Sequence, residues 1–174
     1  MKYVKTFESY NGDETESLKK LLDAMMNLGS GIQKDIAKEK LSLMKQVKVK
    51  KVSDAIDKNA ADIIRTSVRP KKKNCYENSL HAAEYLKAYD VKYCEGWIMI
   101  HGIPIDHAFN KVGDDYFDVT KEFALGGNPE EYTYVVLKDW DPDTALQIMA
   151  NGPYKCYGDV FNKEYISKHP ENIK

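Results

Sequence analysis

The sequence predicts an α+β protein: a small antiparallel sheet with a helix packed on it, preceded by a mainly helical part. Three observations predict this. Apolar residues recur at three- and four-residue spacing between Asp13 and Ser67, the signature of amphipathic helices. Short apolar or alternating runs bounded by Gly, Asn and Asp follow between Val91 and Leu137, the signature of strands. The change between the two patterns falls near Arg69-Pro70, where proline disfavours helix in the residue before it and lacks an amide to donate. A chain of 174 residues can bury a sizeable core and favours one domain, with residues 1–68 mainly helical and 69–174 forming the sheet-bearing core.

Composition narrows the class further. Apolar content of 43% with 30% charged residues argues against disorder, and a net charge of -1 predicts no strong global attraction to nucleic acid or anionic membrane. Residues 1–11 lack the basic start and apolar core of a signal peptide, and no later run approaches a membrane span, so the expected location is cytoplasmic. Cys75, Cys94 and Cys156 are odd in number and irregular in spacing, which suggests neither a disulfide framework nor a CxxC zinc site.

In chain order, residues 1–12 carry Tyr3, Val4, Phe7 and Tyr10, a short strand or docked arm ending at Asn11-Gly12. A first helix runs through Leu18, Leu21, Leu22, Met25, Met26 and Leu28 and closes at Gly29. A second is expected from Ile32 to Val47, and a third from Val52 to Ser67. Their Leu and Met stripes read as inner faces. The lysines from Lys34 to Lys51 read as a solvated face, with nucleic acid as the alternative partner that such a run would offer.

A fourth helix is expected from Cys75 to about Ala88, capped by Asn74. Strands follow at residues 91–100 and 103–112, joined through His101-Gly102, then at 116–120 and 132–137. A short helix at 141–150 and an aromatic tail with Tyr154, Tyr157, Phe161 and Tyr165 complete the chain.

The chemistry concentrates between Asn74 and Thr120. A cysteine in the first turn of a helix lies near unpaired amides and the positive end of the helix dipole, both of which favour the thiolate. Cys75 occupies that position; otherwise it is a small buried apolar residue. His107 follows on a strand, and Asp118 follows 11 residues later on the expected neighbouring strand. Joined by Gly113-Asp114-Asp115, those strands can set the carboxylate on one imidazole nitrogen and leave the other for Cys75. His81, six residues along the same helix, points away from Cys75, and His101 sits in a turn. The four cations Arg69, Lys71, Lys72 and Lys73 lie just upstream, where they can help hold a thiolate or meet an anionic substrate.

The motifs Asn-Cys-Tyr-Glu-Asn-Ser at residues 74–79, Tyr-Cys-Glu-Gly-Trp at 93–97, Asp-His-Ala-Phe-Asn at 106–110 and Tyr-Phe-Asp-Val-Thr at 116–120 resemble the transglutaminase-like branch of the papain-like cysteine enzymes. The resemblance covers residues 74–120. Phe109 stands where Trp is common and Val119 where Pro is frequent. It implies a papain/transglutaminase-like core with Cys75 as nucleophile, His107 as base and Asp118 as orienting carboxylate, acting on a protein or peptide through a thioester. Relatives of this type hydrolyse or transfer acyl groups, and some have lost activity. No cofactor or metal is implied.

The Cys75 amide is the natural oxyanion donor, with Asn74, Asn78 and Trp97 as candidates for a second; Trp97 and Tyr93 are candidate cleft residues. Two other classes stay open on these residues. One is a catalytically silent binding or effector protein on the same fold. The other is a metal site using Cys75, His107 and Asp118 with His81 or His101, whose spacing matches no common zinc signature.

Overall fold

A computed structural model describes residues 15–29, 31–151 and 160–170 of the chain. The expected arm at the N-terminus, Tyr154, Tyr157 and Cys156 lie outside these residues. The protein is α+β, and a six-stranded sheet forms its centre, in the spatial order β1 (Lys45–Val47), β6 (Thr133–Trp140), β3 (Lys92–Ile100), β4 (Ile103–Val112), β5 (Asp115–Phe117), β2 (Val49–Lys50); it is mixed and not wholly antiparallel as expected, because β2 runs parallel to β5.

The central strands are β3 (Lys92–Ile100) and β4 (Ile103–Val112), an antiparallel hairpin in full register from Lys92↔Lys111 to Ile100↔Ile103. His101 and Gly102 both have positive φ, 51° and 75°, the requirement of a two-residue turn whose twist matches that of the strands. β6 (Thr133–Trp140) pairs with the other edge of β3, and β5 (Asp115–Phe117) pairs with the far end of β4. β3 is buried over nearly its whole length because its two sides face different cores.

Two short outer strands were not expected. β1 (Lys45–Val47) lies antiparallel to β6, and β2 (Val49–Lys50) lies parallel to β5. They occupy opposite edges of the sheet, yet only Lys48 separates them. Two residues apart along a chain means at most about 7 Å between Cα atoms, so the sheet curls until its edges nearly meet. The enclosed side holds Val47, Val49, Cys94, Ile98, Phe109, Tyr116, Tyr134 and Val136.

The outer side carries the helices. These are α1 (Thr15–Leu28), α2 (Ile32–Leu43), α3 (Val52–Ala55), α4 (Lys58–Ile63), α5 (Cys75–Tyr85), α6 (Pro142–Asn151) and α7 (Val160–Lys168). Leu18, Leu22, Ile36 and Ala37 from the first two helices join Leu80, Ala82 and Ala83 of α5, with Tyr93, Trp97, Ala108 and Val135 of the sheet, in one core.

Several expected boundaries are corrected. The second helix ends at Leu43, and the remaining residues to Val47 form β1, because pairing with β6 outweighs the helical spacing. The third expected helix is three pieces: α3, then α4 started afresh by Asp57, whose side chain accepts from the Ala60 amide at 2.7 Å, then a wider π turn over Ile64–Val68. β5 stops at Phe117, and Asp118 lies just beyond it. No helix among the described residues is long and apolar enough to cross a membrane.

Candidate active site

Cys75 opens α5, and the helix is held against the sheet by what it buries. Leu80, Ala82 and Ala83 pack inward, and the buried Asn110 donates from Nδ2 to the Ser79 carbonyl at 2.7 Å and the Lys92 carbonyl at 3.1 Å, tying helix and both central strands together. Asn74 occupies the N-cap position, but its amide goes to Glu77 Oε2 at 2.8 Å and no side chain caps the helix. The first-turn amides therefore stay available, and that of Tyr76 favours the charged form of the Cys75 sulfur.

A second amide comes from the sheet. The tight turn makes Ile100/Ile103 a hydrogen-bonded pair, and alternate pairs after it follow suit, so Ala108, opposite Glu95, directs its amide away from β3. On that side β5 pairs with β4 only from Asn110 onward. The Ala108 amide is therefore unclaimed by the sheet, and it favours the charged form of the Cys75 sulfur.

His107 is 8% exposed and sits with Phe109 and Tyr134, ring centroids 6.4 and 6.2 Å away. Its Nε2 lies 2.6 Å from Asp118 Oδ2, and the ring is near enough to Cys75 that each favours the charged form of the other. The three residues expected to act together are thus neighbours, with a direct hydrogen bond between His107 and Asp118 and electrostatic coupling between His107 and Cys75.

Asp118 is fully buried and accepts four bonds. Oδ1 takes the amides of Thr120 and Lys121, both at 2.9 Å, which fixes the turn over Thr120–Ala124. Oδ2 takes His107 and the Tyr134 hydroxyl at 2.9 Å. Tyr134 was not foreseen as a partner of the site; its place on an apolar strand face gave no sign that the hydroxyl meets a carboxylate.

The electrostatics follow from these contacts. Burial pushes the Cys75 thiol up, but the hydrogen bond and charge of His107, then the amides of Ala108 and Tyr76, together bring it below its ordinary value. Burial likewise opposes charge on His107, while the charge and hydrogen bond of Asp118, and then Cys75, raise its pKa to about 10. Burial would raise the Asp118 carboxyl as well; His107, the Lys121 amide and Tyr134 reverse this and hold it down. These contacts favour the thiolate form of Cys75 and the imidazolium form of His107.

Other expected site residues lie elsewhere. Asn78, 4% exposed, has its amide fully engaged: Oδ1 accepts the Lys71 amide at 2.9 Å, and Nδ2 donates to the Lys71 carbonyl at 2.7 Å and to Thr120 Oγ1 at 3.0 Å. Trp97 is 4% exposed in the outer core, with the Lys40 ammonium 5.7 Å from its ring. Tyr93 is buried and donates to Glu95 Oε1 at 2.6 Å, so it underlies the site and does not line its mouth. His81 lies on α5, and His101 is in the hairpin turn. Cys94 is fully buried, and burial pushes its thiol far up. Among the described residues no group of three or more His, Cys, Asp or Glu side chains is placed to hold a metal ion.

No protein family, no curated protein and no solved structure matches the chain.

Proposed function

We propose that the protein is a cysteine-dependent amide or peptide hydrolase or acyl transferase with a transglutaminase-like core, acting on a protein or peptide. The observation that carries this reading is His107, bonded on Nε2 to a buried carboxylate and close enough to a helix-start cysteine to favour its charged form.

The Cys75 thiolate attacks the carbonyl carbon, and the oxygen takes up the charge against the Cys75 backbone amide in the uncapped first turn of α5. His107 gives its proton to the departing amine as the C–N bond breaks, leaving a thioester. Water or an acceptor amine then attacks, neutral His107 takes the incoming proton, and the thiolate is released. Asp118 keeps the ring oriented and favours its charged form.

The test is intact-mass labelling with limiting iodoacetamide across a pH series, on the native chain and on His107→Ala. Cys75 is expected to react well below the roughly 8.5 of a free thiol, and to lose that advantage in His107→Ala. A Cys75 no faster than Cys94 or Cys156 in the native protein overturns the catalytic reading and leaves a binding protein on this fold.

A further inference from the structure

The loop that delivers the chain to Cys75 is exposed, cationic and conformationally strained. Arg69, Lys71, Lys72 and Lys73 are all exposed, and none forms an ion pair among the described residues, whereas Arg65 upstream is paired with Asp62. Arg69 and Lys73 both have left-handed backbone, φ 51° and 66°, where glycine or asparagine sits with far less strain. Asn78 grips the middle of the loop by both the amide and the carbonyl of Lys71. Local strain of this kind persists where the surrounding structure enforces it, and it concentrates at functional surfaces.

Two depressions flank this loop and share Arg69. One, of about 630 Å³, lies between the loop and α5, with Lys71, His81, Glu84 and Tyr85 on its walls. The other, of about 460 Å³, is lined by Arg65, Pro70 and Phe123, with the Arg65 guanidinium 5.5 Å from the Phe123 ring. Arg69 Nε donates to the Thr66 carbonyl at 2.7 Å, which leaves the two terminal nitrogens of its guanidinium to meet a ligand.

We propose that the 69–73 loop and its two flanking depressions are a docking site for an acidic segment of the protein that Cys75 acts on. That this protein is the substrate rests on the catalytic reading above; the docking does not. A peptide fits better than a nucleic acid. Glu77, Glu84 and Glu122 line the same depressions and would repel a continuous phosphate backbone, while a peptide can set its acidic side chains on Arg69 and Lys71 and others past the carboxylates.

The test uses fluorescence anisotropy of the full chain with fluorescein-labelled hexaglutamate, hexalysine and oligothymidylate. The variant is Arg69→Asn with Lys71→Gln, since asparagine tolerates the left-handed backbone. Its control is Lys38→Gln with Lys58→Gln, which removes the same charge from exposed positions elsewhere. Saturable hexaglutamate binding, weakened about tenfold in the loop variant and under about twofold in the control, supports the site. Absence of saturable binding, equal weakening in both variants, or tighter binding of oligothymidylate overturns it. Iodoacetamide labelling of the loop variant separates the two proposals: docking with an inert Cys75 removes the catalytic reading alone, and a reactive Cys75 without docking removes this one alone.

Discussion

Asn78 and Thr120, 42 residues apart, are joined by a 3.0 Å hydrogen bond between Nδ2 and Oγ1. Asn78 lies one turn into the helix that begins at Cys75, and Thr120 gives its amide to Asp118. The bond therefore fixes the distance between the element carrying the nucleophile and the turn carrying the orienting carboxylate. Removing the Asn78 amide in Asn78→Ala also strands both backbone groups of Lys71, and is expected to destabilise the fold by about 2–4 kcal/mol. Thr120→Val, which breaks only the cross-link, should lose about 1 kcal/mol. Urea midpoints give both values, and iodoacetamide labelling should slow in the two variants without stopping.

The His107–Asp118 pair makes stability depend on pH in a defined direction. The folded pKa of His107, about 10, is above its ordinary 6.5, so its contribution is complete below pH 6.5 and is lost as pH rises toward 10. The folded pKa of Asp118 is below its ordinary 3.8, so its contribution is present above that pH and is lost on acidification. The pair is therefore expected to stabilise most between about pH 4 and 6.5. Asp118→Asn should flatten the alkaline decline; melting temperatures of both proteins at pH 6 and pH 10 decide it, and an unchanged decline refutes the assignment.

Gly96 faces His107 across the hairpin and sits where the pairing of β3 with β6 shifts register. A Cβ there would lie 1.9 Å from the Val135 carbonyl oxygen, a backbone atom that cannot swing aside. Gly96→Ala is expected to lose about 2–4 kcal/mol by forcing the two strands apart. A urea midpoint within error of the parent's would show that the bulge yields freely.

Glu95 is a buried carboxylate that anchors α7: Oε1 accepts the Val160 amide at 2.7 Å as well as the Tyr93 hydroxyl, and Oε2 accepts the Phe161 amide at 3.0 Å. Glutamine offers one acceptor oxygen and turns a donor on the remaining partner, so Glu95→Gln should destabilise by about 1.5–3 kcal/mol. Hydrogen exchange is expected to quicken in residues 160–168 first, while α5 keeps its protection.

How much was legible in the sequence can be argued from these same residues. The β3–β4 hairpin was readable because its runs are long and His101-Gly102 is a turn pair, and Cys75, His107 and Asp118 were readable from their order and settings. β1 and β2 were not, since residues 45–47 continue the spacing of the second helix, the alternation Val47-Lys48-Val49-Lys50 is too short to stand as a strand by itself, and both segments become strands only because β5 and β6 offer edges to pair with. Asp57 did carry a readable helix-start signal within the supposed third helix. Of the four bonds to Asp118, only the one from His107 could be read. The carboxylate gathers Thr120 and Lys121 from its own turn, His107 from β4 and Tyr134 from β6, and only the curl of the sheet makes them neighbours.

That curl also constrains how the chain can reach its final form. Val47 finds its place only beside Tyr134, and Val49 only beside Tyr116, both far downstream. During synthesis residues 45–50 leave the ribosome with no strand to join, and must wait until β5 and then β6 have been made. Closing so long a loop before any contact repays the lost chain entropy makes seating β1 a late, slow event, after the β3–β4 hairpin has formed by local pairing. In a refolding time course the hairpin amides should gain protection first and those of residues 45–47 last.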